Sequence, residues 1–239
     1  MALSESTGIK EPRRKAQQRH YGLSTGVQSL SLDVVGQNAP HRGDVEQSIM
    51  HKFEASYGAH LSHFLPNLIR LGVSEDVGAV AGVNFAQNNS LFLEQYLDRP
   101  VEQAIGAAFM TPVDRDQLVE IGNLAANVPG LAYSLFAILA TVLSKAGFKW
   151  VVCTATPQVA LMLAKLEFAA QPLCDADPSK LESGSADWGA YYASRPRVMA
   201  GDAHLAAAQA ASNPDLALPL QHYRQPIERL AASLGRERR

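Results

Sequence analysis

Gln117-Leu-Val-Glu120-Ile-Gly-Asn123-Leu-Ala-Ala-Asn127-Val-Pro129-Gly130-Leu131-Ala132-Tyr133 opens the stretch that decides the fold, which continues to Phe168. Gln117–Ala125 is a strand-like apolar run with one carboxylate, Glu120, in its middle. The turn after it is dense in helix-start signals, and Pro129 suits a first helical position because its φ is preset and no N–H is wasted. Leu131, Leu135, Ile138, Leu139, Val142 and Leu143 then recur at helical spacing, and Gly147 ends the run. Lys149–Thr154 is a second buried strand, and Pro157 opens a helix carrying Leu161, Leu163 and Leu166. Strand, helix and strand of these lengths predict a right-handed βαβ unit whose ligands lie beyond the carboxyl ends of the strands.

Upstream, Val27–Val35 alternates well enough for a first strand, with Leu30, Leu32 and Val34 on one face. Asp44 is placed to cap a helix over 45–57, and Gly58 to break it. Asn67–Arg70 reads as a further helix or turn. Val77–Ala86 reads as a strand, with Gly78 and Gly82 pointing to a bulge. Asn88-Asn89 then reads as a hairpin turn into a strand over Leu91–Leu97, and a helix follows from Val101 to Phe109.

Downstream of Phe168, Ala169–Leu173 can form one more strand, and Asp187-Trp188-Gly-Ala-Tyr191-Tyr192 is aromatic-dense for a loop. Ala203–Ala211 is helical by composition, Asn213–Pro219 a linker, and Pro226–Leu234 a last helix. The expected class is α/β: a central, mixed, twisted sheet flanked by helices, with extra N- and C-terminal segments. The expected division is a basic arm over 1–26, one domain over 27–202 and a helical extension over 203–239.

Composition narrows the function classes. The 239 residues carry 47% hydrophobic and 18% charged side chains, ordinary for a folded α/β chain. A formal charge of −2 argues against whole-surface attraction to nucleic acid or anionic membrane. Cys153 and Cys174 are the only cysteines and one sits in a predicted core strand, so no disulfide framework is expected. No apolar stretch follows the basic residues near the N-terminus, so a cytoplasmic location without a secretory leader is expected. Leu131–Leu143 is too short to span hydrocarbon about 30 Å thick as a helix. His60 and His63 stand three apart, but no nearby Cys or carboxylate completes a ligand set, so no metal is expected. No Gly-x-Ser-x-Gly is present to suggest a serine esterase, and Cys153, in a strand core with no His close in sequence, is a poor nucleophile.

Several motifs carry a resemblance. Asn127-x-x-Gly130-x-Ala132 has the spacing of the Gln/Arg-x-x-Gly-x-Gly/Ala turn that cradles the cofactor pyrophosphate in GNAT-type acyltransferases, with Asn in place of Gln or Arg. Glu120-Ile-Gly-Asn123-Leu-Ala resembles a strand of acyl-homoserine-lactone synthases and long-chain N-acyl amino acid synthases, except that Asn123 stands where Arg is usual. Over roughly residues 45–202 the chain is similar to the bacterial family called thermostable hemolysin. The segments that match it include Phe64-Leu65-Pro66, Leu91-Phe-Leu-Glu94-Gln-Tyr96-Leu, Trp150-Val-Val-x-Thr154-Ala155-Thr156 and Asp187-Trp188-Gly189-x-Tyr191-Tyr192.

The resemblance implies a GNAT-like fold and an N-acyltransferase. It would move an acyl group from coenzyme A, or from the phosphopantetheine of an acyl carrier protein, to a small amine, with no tightly bound cofactor. Amide groups of Gly130, Leu131, Ala132 and Tyr133, beside Asn127, would hold the diphosphate without a basic side chain; an ordinary αβ turn would carry the same Pro and Gly. Glu120 cannot sit free in an apolar core: it either pairs with a cation or faces a polar cleft as a general base. Glu94 has the same logic on what reads as a neighbouring strand and would share the cleft as base or ammonium anchor. Asn123, Tyr96, Trp188 and Tyr191 are candidates for the acceptor pocket. Phe85, Leu91, Leu93 and Phe136 would suit a medium or long acyl chain. Two rival readings are a transferase using aminoacyl-tRNA, met by the basic arm, and a non-enzymatic membrane-active protein.

Overall fold

The computed structural model describes residues 30–73, 76–87, 89–182 and 184–237. The expected 1–26 arm, the first residues of the Val27 strand, Asn88 and the last two arginines lie outside them. Seven strands form one mixed sheet: β1 (Leu30–Val35), β2 (Asn67–Val73), β3 (Asp76–Phe85), β4 (Leu118–Ala126), β5 (Trp150–Ala155), β6 (Gln171–Asp175) and β7 (Arg197–Asp202). Their spatial order is β1-β2-β3-β4-β5-β7-β6. β1 to β4 form an antiparallel meander, and β4 and β5 are the parallel pair, joined as expected by a crossover helix, α3 (Leu131–Lys145).

Helices cover both faces. α3 buries Leu135, Ile138, Leu139, Val142 and Leu143 on one face of the sheet. The C-terminal helices α5 (Ala203–Ser212), α6 (Pro214–His222) and α7 (Arg224–Glu237) close over α3. On the other face, α1 (Arg42–Tyr57) sets Val45, Ile49 and Phe53 against Leu68, Val80 and Ala125. Beside it α2 (Val101–Phe109) sets Val101 and Ile105 against Leu118, Trp150 and Val152. α4 (Pro157–Lys165) follows β5, with Thr156 capping its first turn.

Four sequence expectations give way to tertiary structure. Asn67–Arg70 is not helix or turn but the start of β2: Leu68 faces the α1 cluster while Ile69 and Leu71 face the α3 cluster, and burial on both faces hides a period of two. Leu91–Leu97 is not a strand; Phe92–Tyr96 is a 3-10 turn, because Glu120 accepts the Phe92 and Leu93 amides that a strand would give to its neighbour. α1 starts at Arg42, ahead of Asp44, because the buried Arg42 guanidinium donates to the carbonyls of Val35, Leu65 and Pro66. Asn213–Pro219 is not a linker: Asn213 caps α6, and Leu216 is buried in the α3 cluster.

Pro129 also lies outside its expected place. Leu131 N–H donates to Val128 O at 3.2 Å and Gly130 has φ 86° and ψ −24°, so residues 128–131 make a type II turn and the helix begins at Leu131.

Candidate functional site

The site begins where the parallel pair ends. β4 and β5 are in register from Leu118 opposite Trp150 to Ile121 opposite Cys153, and no further, although β4 runs on to Ala126 and β5 to Ala155. Beyond Ile121 the strands part. A cleft of about 450 Å³, partly open to solvent, occupies the gap on the α1–α2 side.

Glu120 forms its inner wall and is only 3% exposed. Its Oε2 accepts the Phe92 amide at 2.9 Å and its Oε1 the Leu93 amide at 3.0 Å. Burial pushes the carboxyl up to about 7, and the two amides oppose that rise without cancelling it. No cation pairs with Glu120 among the described residues; its carboxylate is hydrogen-bonded to two backbone amides and borders the cleft. Asn84, its register partner on β3, is buried beside it.

Asn123 reaches the same cleft by a backbone irregularity. Strict alternation would send residues 120 and 123 to opposite faces of β4. The β3–β4 register slips between Val80 and Gly82, and Asn123 takes φ 48°, so a bulge turns it back to the Glu120 side. There its Oδ1 accepts the Leu65 amide at 2.8 Å and its Nδ2 donates to His63 O at 3.2 Å. The amide staples the 63–65 loop across the sheet. Leu65 then lies on Gly82 and Gly122, where an added Cβ would come within 3.0 Å of it.

Tyr96, Trp188 and Tyr191, all expected at the site, line the cleft with it. Tyr96 is buried, and its hydroxyl meets that of Tyr192 at 2.5 Å; burial and that contact raise its pKa. The 186–194 segment is held both by backbone hydrogen bonds and by packing of Tyr191 on Phe53 and Tyr57. His60 N–H donates to Asp187 O at 2.6 Å and Ala190 N–H to Tyr57 O at 2.7 Å. Between them Gly189 sits at φ 50°, where a Cβ would fall 2.2 Å from Tyr57 O. The end of α1 thereby fixes Trp188 and Tyr191 in the lining of the cleft.

Glu94 is elsewhere. Its carboxylate takes Arg115 Nη2 at 2.7 Å and Nη1 at 2.8 Å and the Leu91 amide at 2.9 Å, and it does not line the cleft. Burial alone would raise the Glu94 carboxyl, but Arg115 and the amides of Leu91 and Val101 hold it below the usual carboxylate range. It anchors the 3-10 turn that presents Phe92. Cys153 is buried, which pushes its thiol up to about 12 and leaves it inert at neutral pH.

The Asn127–Tyr133 turn lies at the far end of β4. Asn127 is committed to structure, its Nδ2 donating to Ser48 Oγ at 2.8 Å and Val77 O at 2.9 Å. Leu131 and Tyr133 donate their amides to Val128 O and Gly130 O, at 3.2 Å each. The Gly130 and Ala132 amides have no backbone acceptor among the described residues, and the space about Gly130 is open. A second cavity, of about 530 Å³ including its mouth, lies on the α3 side, walled by apolar groups such as Phe136, Leu139, Leu163 and Met199. Ile121 borders both spaces. Of the four apolar residues expected around an acyl chain only Phe136 lines this cavity; Phe85 stacks on Phe148, and Leu91 and Leu93 belong to the α2 core.

Sequence reasoning missed Phe92, Leu65 and Thr154 as cleft residues. Phe92 and Leu65 stood inside quoted motifs, but nothing local marks either as facing a cleft. His63, which the sequence does not mark as a metal ligand, stacks on Phe92, ring centres 5.5 Å apart.

Among solved structures the chain is similar to FeeM, an N-acyl amino acid synthase from uncultured soil microbes, at 13% identity and TM-score 0.52, over 77% of this chain and 95% of that one. It is also similar to BjaI, a CoA-dependent acyl-homoserine lactone synthase solved with SAM and isopentyl-CoA, at 10% identity and TM-score 0.50, over 83% and 91%. The fold is thus the GNAT-like one of these synthases. No curated protein sequence matches the chain. Residues 35–207 match the thermostable hemolysin family, and with that span, most of the sheet and the whole cleft included, the chain belongs to that family.

Proposed function

We propose that the protein is an N-acyltransferase that moves an acyl group from a coenzyme A or carrier-protein thioester to a small amine by direct attack. The observation that carries the reading is Glu120: a buried carboxyl near neutral pKa, on the wall of a cleft opened by the parting of the parallel pair. A general base works best when its pKa lies near the working pH.

In this reading the thioester lies in the gap between β4 and β5, its carrier's diphosphate meeting the open amides of Gly130 and Ala132. Asn127 contributes by holding the turn. Glu120, directly or through water, takes a proton from the acceptor ammonium. The amine nitrogen forms a bond to the carbonyl carbon, the carbon–sulfur bond breaks, and the nitrogen's second proton goes to the leaving thiolate, while Glu120 returns the first to solvent. The edge of β4 facing β5, unpaired past Ile121, supplies donors for the carbonyl oxygen as charge develops there. The acyl chain passes Ile121 into the apolar cavity beside Phe136, which suits a medium or long chain. That two similar solved structures are an N-acyl amino acid synthase and a CoA-dependent acyl-homoserine lactone synthase supports the reading.

Acyl-coenzyme A species of graded chain length and acyl carrier proteins test it, by thermal shift and thiol release. A donor present at about 100 times its Kd should add about 2.7 kcal/mol, or roughly 5–10 °C in Tm for a chain of this size. Absence of both shift and thiol release with every donor and amine would overturn it.

A further inference from the structure

The cleft at Glu120 lacks something that an amino acid acceptor would need. Among the described residues no Lys or Arg lines it. Two arginines that hold segments next to the cleft are committed. Arg42 is tied to the carbonyls of Leu65, Pro66 and Val35 and to Glu46, and Arg115 to Glu94, Glu102 and the carbonyls of Ala86 and Asn89. Asn123, the remaining polar side chain on that stretch of β4, has spent its Oδ1 on Leu65 and its Nδ2 on His63. Among the described residues, a carboxylate brought in here would meet Glu120 and no Lys or Arg, and an unpaired buried anion is costly.

What the cleft does hold suits a cation. Its lining combines a carboxylate with a group of aromatic rings. Phe92 and Trp188 have centres 5.8 Å apart, Trp188 and Tyr191 5.3 Å, and Phe92 and Tyr96 6.3 Å. An ammonium group is attracted to both kinds of surface. The 3-10 turn that carries Phe92 is itself pinned by Glu120, so the carboxylate and the first ring are placed by the same two hydrogen bonds.

Resting on the acyltransferase reading, we infer that the acceptor is a carboxylate-free amine, its ammonium seated between Glu120 and the rings of Phe92, Trp188 and Tyr191. Free amino acids are rejected. The ammonium gives one proton to Glu120, which passes it to solvent; the freed nitrogen bonds to the thioester carbonyl carbon, and as the carbon–sulfur bond breaks the nitrogen's second proton goes to the leaving thiolate, giving the neutral amide and a free thiol.

Matched pairs differing only in the carboxylate provide the test: phenethylamine against phenylalanine, tyramine against tyrosine, cadaverine against lysine. Each is offered to the full-length protein with a saturating acyl-coenzyme A, and amide and free thiol are both quantified. The amine of each pair should exceed its amino acid in kcat/KM by on the order of 100-fold. Trp188→Ala should raise KM for the aromatic amines more than it lowers kcat. His63→Arg, which adds a cation at an exposed position on the cleft rim, should narrow the preference. Equal or better use of the amino acids would overturn the inference. So would donor binding and thiol release without acylation of any amine, an outcome that leaves the acyltransferase reading standing. Absence of both donor binding and thiol release would instead remove that reading, and the acceptor assignment with it.

Discussion

Glu120 does two things that pull against each other. Its oxygens order Phe92 and Leu93, which favours the anion, while its burial favours the neutral acid, and burial wins. In the proposed role of base it must be ionised, so kcat/KM should climb with pH through about 7 and level above it; a profile flat from pH 5 to 9 would exclude that role. The stability consequence has the opposite sign. The folded carboxyl is raised from 4.5 to about 7, so its protonated form is favoured in the fold. That stabilisation is fully present below about 4.5 and is lost as pH rises through about 7, by about 3 kcal/mol at 1.36 kcal/mol per tenfold. Denaturant midpoints in Glu120→Gln should lack this pH dependence. The same substitution should lower turnover by about 10²–10⁴-fold and leave acyl-coenzyme A affinity nearly intact. It sets an amide NH₂ against one backbone donor, at a cost of about 1–3 kcal/mol; an unchanged kcat would remove Glu120 from the chemistry.

At the scale of elements, three connections place the site: the type II turn before α3, the bulge at Asn123 and the backbone clasp between 57–60 and 187–190. Gly130 has space around it but a left-handed φ, so replacing it strains the backbone rather than the packing. Gly130→Val should cost about 1–3 kcal/mol and weaken acyl-coenzyme A binding in a titration, whereas Gly130→Asn, which tolerates that φ, should recover much of the stability. Equal donor affinity in both variants and the parent would make the turn purely structural. Gly189→Ala is more severe, because its Cβ would run into the carbonyl oxygen of Tyr57. A loss of roughly 2–4 kcal/mol in denaturant unfolding is expected, with Trp188 fluorescence altered first.

Across the whole molecule, the α3 helix is covered by residues beyond the sheet. Ile227, Leu230, Ala231 and Leu234 of α7 are buried in the same cluster as α3. We propose that the segment 203–239, read from sequence as an extension, is required for folding. Leu234→Ala should cost about 2–5 kcal/mol by the cavity it leaves. Ending the chain at Asp202 should yield aggregated protein, since α3 would present its apolar face to water; a soluble, cooperatively unfolding 1–202 fragment would refute the proposal. Among the described residues no helix is long and apolar enough to cross a membrane. α7, the most amphipathic of them, has its apolar stripe occupied by α3.

What was legible in the chain was local. The βαβ unit from Leu118 to Ala155 and the helix after it follow from short buried strands and a clear 3.6-residue period, and Glu120 stood out as a charge in an apolar run. Asn123, Tyr96, Trp188 and Tyr191 came from a family pattern, and folding brings all four to Glu120. Glu94 showed the same local signature as Glu120, yet a guanidinium from residue 115 neutralises it outside the cleft. Period alone would have placed Asn123 on the wrong face, and β2 was hidden by apolar residues on both of its sides. The sequence by itself determined which segments could be strands and helices and where a carboxylate would be out of place, because those depend on neighbours within a few residues. Only the tertiary structure decided which carboxylate faces a cleft, since that depends on a bulge, a strand parting and a distant arginine that no local pattern encodes.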